Sequence, residues 1–240
     1  MSSIVNNKGP RRVAVIAAHP DDEVLGCGGV IARHVAEGDT VAVLILAEGL
    51  TSRDPTRDVG AHKSGLSQLR QAAEAAHAVL GTSSLVLHDF PDNRMDTVAL
   101  LDVVKVVEAF LATHRPAVVY THNRSDLNVD HACVHNAVVT ACRPQPGFFV
   151  QTLLFFEVPS STEWNPASAP FVPTWFVDVG ATLPRKQEAL RCYSSEMRAW
   201  PHARSIEAVT HLALWRGASV GMEAAEAFMV GRHLENTGKA

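Results

Sequence analysis

The stretch Arg12-Val13-Ala14-Val15-Ile16-Ala17-Ala18-His19-Pro20-Asp21-Asp22-Glu23 decides the fold. Its first half is a β-branched and alanine run closed by His19-Pro20, which reads as a strand buried on both faces. From Val24 to Glu37 the apolar positions Leu25, Ile31 and Val35 take helical spacing, and Gly38 stands where a helix commonly stops. Thr40 to Ala47 is a second apolar run. Strand, helix and strand in this order, with strands apolar nearly throughout, make a parallel sheet covered by helices on both faces.

The alternation continues outward. Glu48 to Gly65 is polar and contains Pro55, so it reads as a long loop. Leu66 to Leu80 reads as a helix ended by Gly81, and Ser84 to His88 as a short strand. After a loop from Phe90 to Asp96, with Asp96 as N-cap, come a helix over Thr97 to Thr113 and a strand over Ala117 to Tyr120. A helix from Val129 to Cys142 and a strand from Thr152 to Glu157 follow. Pro159 to Pro173 is a Pro- and Ser-rich loop before a strand at Thr174 to Val179. Leu183 to Arg191, Ser205 to Arg216 and Glu223 to Arg232 read as closing helices. No repeat or linker divides the chain, so one α/β domain is expected.

At 240 residues the chain can bury roughly 70% of its unfolded surface without a disulfide or structural metal. Its 21 Lys and Arg against 25 Asp and Glu leave a net charge of -4. That balance lacks the basic field that nucleic acid or an anionic membrane requires. No run reaches the roughly 20 apolar residues of a membrane span, and the first residues carry no apolar export segment. Cys27, Cys133, Cys142 and Cys192 form neither a C-x-x-C pair nor a disulfide framework, so reduced thiols in the cytoplasm are expected. The one excess is twelve His.

In an open doubly wound sheet ligands bind outside the carboxyl ends of the strands. His19 to Glu23 follow the first strand, and Glu48 with the Arg53 loop follows the second. His88, Asp89, Asp92 and Asn93 follow the third, and His122 to His131 follow the fourth. Histidines and carboxylates thus gather at the crevice. Gly26-Cys27-Gly28-Gly29 does not carry the G-x-G-x-x-G spacing, and three carboxylates stand where a pyrophosphate would lie, so a dinucleotide site is disfavoured. Those glycines are expected to let the helix pack closely on the sheet.

His19 and Asp22 are three residues apart at a helix start, and His131 opens a helix after another strand. Two imidazoles and a carboxylate suit Zn²⁺ with an open position for water; the absence of thiolate also admits Fe²⁺, Co²⁺ or Mn²⁺. Asp21 is left free to act as a base. The bland alternative is that these acids only cap helices.

Ala18-His19-Pro20-Asp21-Asp22-Glu23 resembles the A-H-P-D-D-E signature of the PIG-L (LmbE-like) N-acetyl-sugar deacetylases, and Asp126-Leu127-Asn128-Val129-Asp130-His131 resembles their second motif. The resemblance implies a single Rossmann-like domain over 1–240, with its core at about 11–232. It implies zinc on His19, Asp22 and His131, and Asp21 as the base acting on metal-bound water. It also implies Asp130 as a carboxylate steering an imidazole and Arg53 as a substrate-binding residue. The reaction implied is hydrolysis of the N-acetyl amide of an amino sugar or its conjugate. An amidase acting on a larger acyl or thiol-conjugate amide is the alternative, and a non-catalytic metal-containing binding protein the third.

Many members carry His-Pro-Asp-His in the second motif, where the first His stabilises an oxyanion or protonates the leaving amine. Here that position is Asn128, which donates a hydrogen bond but delivers no proton at neutral pH. Asp21 as base and then acid, assisted by His122, is the expected replacement. Arg198, His202 and Arg204 lie in a segment resembling Q/E-M-R-x-W-P-H-x-R-S and are expected either at the mouth, against an anionic substrate, or in a solvated loop before a helix. Ala225-Glu226-Ala227-Phe228 is expected to be helix packing, with Glu226 as a pocket ion-pair partner. Trp164 and Trp175 are expected to stack on a sugar ring. Homo-oligomers are compatible with the family.

Overall fold

The structure is a computed structural model that describes residues 9–147, 150–166 and 169–235. The first βαβ unit forms where the sequence places it: β1 (Arg12–Ala17), α1 (Asp22–Ala36) and β2 (Thr40–Ala47). Next come α2 (Lys63–Leu80), β3 (Ser84–Phe90), α3 (Leu100–His114), β4 (Val118–His122) and α4 (Val129–Ala141). The chain continues through β5 (Thr152–Phe156), β6 (Trp175–Asp178), α5 (Leu183–Cys192), α6 (Ile206–Ala218) and β7 (Ala225–His233). Asp96 sits in a short 3₁₀ turn, Met95–Thr97, and Ala99 is the N-cap of α3.

The seven strands lie in the order β3-β2-β1-β4-β5-β7-β6. β3 through β5 are parallel, while β7 runs antiparallel to both β5 and β6. The expected last helix, Glu223 to Arg232, is therefore a strand. Its apolar residues, Ala225, Ala227, Phe228 and Val230, fit either period, and pairing with two open strands decided the outcome. Phe228 is fully buried against Tyr120 of β4.

Alternation along β1 divides the interior in two. Val13, Val15 and Ala17 face a core built with α1, α2, α5 and α6, whereas Ala14 and Ile16 face a core built with α3 and α4. The sheet is covered on both faces, as a mostly parallel sheet requires. The glycines of α1 serve close approach. A Cβ on Gly26 would stand 2.4 Å from the Phe156 ring, and one on Gly29 3.0 Å from Val179.

α1 is interrupted at Cys27, whose φ of -149° and ψ of 26° are not helical. A buried ion pair repairs the break. Glu226 accepts the N–H groups of Gly29 and Val30 at 3.0 and 2.7 Å, and Lys186 donates to the Leu25 carbonyl at 2.8 Å. Lys186 and Glu226 meet at 2.5 Å, so Glu226 is a helix-joining residue in the core and not a partner in the pocket. None of the four cysteines is in a disulfide, and no described helix is long and apolar enough to cross a membrane.

Candidate active site

The order of strands reverses between β1 and β4, because the chain leaves β1 for β2 on one side and returns to β4 on the other. A crevice opens at the carboxyl ends there. His19 to Glu23 enter it from β1 and Asn128 to His131 from the loop after β4. Asp92 and Asn93 enter after β3. The cavity measures about 210 Å³ and is lined, among others, by His19, Asp21, Asp22, Asn128, His131 and Arg204.

Two imidazoles and one carboxylate converge. His19, mostly covered, and the buried Asp22 and His131 offer ligand atoms within 4.8 Å of one another. Asp22 Oδ2 lies 3.1 Å from both His19 Nδ1 and His131 Nε2. His131 Nε2 is buried with no directed hydrogen bond, a costly state that a cation would relieve. The donor set therefore fits a divalent transition metal.

Carboxylates behind the rings fix their orientation. His19 Nε2 bonds Asp130 Oδ2 at 3.0 Å and lies 3.3 Å from Asp92 Oδ1. Asp130 is held in turn by the N–H groups of Asn93 and Met95 at 2.6 and 2.9 Å. On the far side of His131, Asp126 Oδ1 stands 3.1 Å from Nδ1. Asp126 is clamped by the hydroxyls of Ser161 and Thr162. The imidazole that Asp130 touches is thus His19, and Asp126 serves His131. Paired carboxylates of this kind set the tautomer and basicity of ligand histidines.

The charges follow. Burial opposes ionised His19, but its bonds to Asp130 and Asp22 win and raise its pKa well above the usual value. Burial likewise opposes His131, yet Asp22 and Asp126 raise it to about 9. Burial would neutralise Asp22, but His131 and His19 hold it well below the carboxylate range. Asp21 goes the other way: burial and then Asp22 push it well up, against the pull of Arg204. The two adjacent carboxylates are thus driven apart in acidity.

Asp21 is 2% exposed and lines the cavity. Arg204 Nη1 reaches its Oδ2 at 3.0 Å, and Arg204 Nε donates to the Ser160 hydroxyl at 2.8 Å. Arg53 also lines the cavity, with Nη2 on both oxygens of Glu196 at 2.9 and 3.0 Å. Arg198 is exposed at the mouth, its Nη1 donating to the carbonyls of Ser195 and Met197. His202 stands one step back, accepting the Arg204 N–H on Nδ1 at 3.0 Å. Trp164 packs edgewise on His202, whereas Trp175 lies on the edge strand β6 near His233, away from the cavity.

His122 is not brought into the cavity. It is fully buried, stacked on His131 at 3.9 Å, and its Nε2 accepts the Ala18 N–H at 2.8 Å. Burial and then His131 depress its pKa well below the usual value. Asn128 lines the cavity while working as the N-cap of α4. Its Oδ1 accepts the Asp130 N–H at 2.8 Å and its Nδ2 donates to Asn93 Oδ1 at 2.7 Å. One amide hydrogen remains for a ligand.

Asp92, Asn93 and Asp126, expected at the crevice but given no role there, belong to the site, as do Glu196 and Ser160, which the strand ends do not point to. Asp126 had a signal, since it opens the motif that ends in His131. Nothing in the chain pairs Glu196 with Arg53, 143 residues away.

A family model described as PIG-L, GlcNAc-PI de-N-acetylase, matches residues 14–142, the span that carries both motifs. The chain is 28% identical over 166 residues to the uncharacterized deacetylase YaiS of Escherichia coli K12, covering 67% of this chain and 80% of that one. It is 28% identical over 245 residues to the 1D-myo-inositol 2-acetamido-2-deoxy-alpha-D-glucopyranoside deacetylase 1 of Saccharopolyspora erythraea, covering 80% and 79%. Among solved structures it is similar to the 4-carboxy-2-hydroxymuconate hydratase of Pseudomonas putida. The TM-score there is 0.74 at 23% identity, over 95% of this chain and 99% of that one. That likeness concerns the fold alone, and shows that one fold hosts more than one chemistry.

Proposed function

The chain belongs to the PIG-L (GlcNAc-PI de-N-acetylase) family, a family of deacetylases, and from that premise we propose that it hydrolyses the N-acetyl amide of an amino sugar or amino-sugar conjugate, using zinc held by His19, Asp22 and His131. The convergence of those three donors beside Asp21 in an open cavity carries this reading. The S. erythraea relative's name, which specifies a 2-acetamido sugar linked to inositol, supports the substrate class. A divalent cation there supplies Lewis acidity toward the amide carbonyl and acidifies water.

The protein's own groups do the rest. Asp126 and Asp130 hold the two ligand rings in place. Asp21 takes a proton from the attacking water as the new C–O bond forms at the acetyl carbon. It then returns that proton to the amide nitrogen as the C–N bond breaks, releasing acetate and a free amine. A single carboxyl serves both steps because Asn128 offers a hydrogen bond and no proton, and His122 is sealed off. The remaining amide hydrogen of Asn128 is available to the developing oxyanion. Arg53 and Arg204 flank the sugar, and Arg198 with His202 shapes the mouth.

The test is elemental analysis of the purified protein together with amine release from a panel of N-acetylated sugars and glycosides. Stoichiometric zinc and amine from at least one member are expected; neither metal nor amine would overturn the proposal.

A further inference from the structure

Asp21 carries a backbone φ of 117° and ψ of -30°. A residue with a side chain rarely adopts that conformation and keeps it only where its surroundings enforce it. Its carbonyl is tied into the start of α1, accepting the N–H groups of Val24 and Leu25 at 3.0 and 2.8 Å. Its own N–H donates to Glu23 Oε2 at 3.1 Å. That contact resembles the back half of a capping box, reached from one residue earlier than usual.

Glu23 is fully buried and does not line the cavity, so it touches neither solvent nor substrate. Its other oxygen accepts the Tyr193 hydroxyl at 2.7 Å and lies 3.2 Å from His77 Nε2. Tyr193, also fully buried, caps the end of α5, and His77 sits in the last turn of α2. One carboxylate thus ties the turn of Asp21 to the ends of two helices. The contact through which this carboxylate reaches the site is the N–H of the strained Asp21.

We propose that Glu23 and Tyr193 are a positioning pair: Glu23 pins the backbone N–H of Asp21 so that its carboxylate enters the cavity, and Tyr193 pins Glu23. The geometric half stands by itself, while the consequence for turnover rests on the reading of Asp21 as the proton carrier. Glu23→Leu removes the acceptor. In its crystal structure Asp21 leaves the positive-φ region and loses the 3.0 Å contact to Arg204. Zinc stoichiometry is unchanged, and kcat for amine release falls by about 10²-fold at constant KM, the size of loss a misplaced group produces. Glu23→Gln keeps an acceptor for the N–H and restores most of kcat. The double variant Glu23→Leu/Asp21→Asn is no slower than Asp21→Asn, because Glu23 acts through Asp21.

Tyr193→Phe, which keeps the ring volume, carries the same measurements should Glu23→Leu fail to fold, with smaller losses of the same kind. An unmoved Asp21 in the variant structures, or losses that multiply in the double variant, would overturn the pairing. If the wild-type protein releases amine from no N-acetyl sugar, the functional reading fails, and the variant structure still decides the positioning.

Discussion

Asp126 offers the sharpest test of how the candidate metal centre is built. Its side chain is almost wholly buried; Oδ1 faces His131 Nδ1 at 3.1 Å and accepts the Asn128 N–H at 2.9 Å, and Oδ2 accepts the Thr162 hydroxyl at 2.7 Å. Burial opposes its charge, yet His131 and the hydroxyls hold it below the usual carboxylate range. Asp126→Asn keeps the oxygen that faces His131 and places an NH₂ against Thr162, whose hydroxyl can turn to accept it. The charge is lost, together with the acceptor for the hydrogen of the Thr162 hydroxyl, whose oxygen already accepts the Val158 N–H at 2.8 Å. Asp126→Ala removes charge and orientation together. Carboxylate partners of ligand histidines are worth 10- to 100-fold in metal affinity. The Asn variant should therefore sit near the lower end, about 1.4 kcal/mol, and the Ala variant near the upper, about 2.7 kcal/mol. Zinc affinity measured by chelator competition, with thermal melting to verify the fold, reads both. An Ala variant that melts like wild type and binds zinc within a factor of two would refute the role given to Asp126.

Asp21→Asn should retain stoichiometric zinc while amine release drops by about 10²- to 10⁴-fold, the range of a positioned acid–base group; near wild-type turnover would remove Asp21 from the mechanism. His131→Ala should lose zinc, so a stoichiometric ion by elemental analysis would contradict its place in the donor set. Glu226→Leu strands Lys186, whose side chain is 4% exposed, and should cost about 3–5 kcal/mol in urea unfolding; a loss under about 1 kcal/mol would show that the pair does not hold the α1 break. At the amino ends of the strands, His34 accepts the Tyr120 hydroxyl on Nε2 at 2.9 Å and donates from Nδ1 to Asp39 at 2.7 Å. Burial lowers the His34 pKa, and Arg11 with His34 lowers that of Asp39 against its own burial. Both groups bind protons more weakly folded than unfolded. Their stabilisation is full above the unfolded values and is lost as pH falls, below about 6.5 for His34 and then below about 4 for Asp39. Urea midpoints from pH 7.5 to 5 should fall less steeply in His34→Gln than in wild type; equal slopes would remove His34 from the acid response.

The first βαβ unit, the parallel sheet through β5 and the meeting of His19, Asp22 and His131 at the strand ends were legible in the chain. Each rests on local information: buried strands are continuous apolar runs, helices keep their period, and ligands in this architecture follow strand ends. The last element was misread for the same reason. Ala225 to Phe228 is too short and too apolar to declare its period, and only the open edges of β5 and β6 made it a strand.

Side-chain partners were the other limit. Glu226 meets Lys186 across 40 residues, Glu196 meets Arg53 across 143, and Tyr193 meets Glu23 across 170. His122 looked available because it sits beside the motif, but its nitrogen had already been taken by Ala18. Chain order by itself determined which residue types reach the crevice, because covalent spacing puts them at strand ends. Tertiary packing decided which carboxylate faces which ring, which histidine is sealed away, and how the backbone of Asp21 is held, because hydrogen bonds are directional and their partners come from elements far apart in the chain.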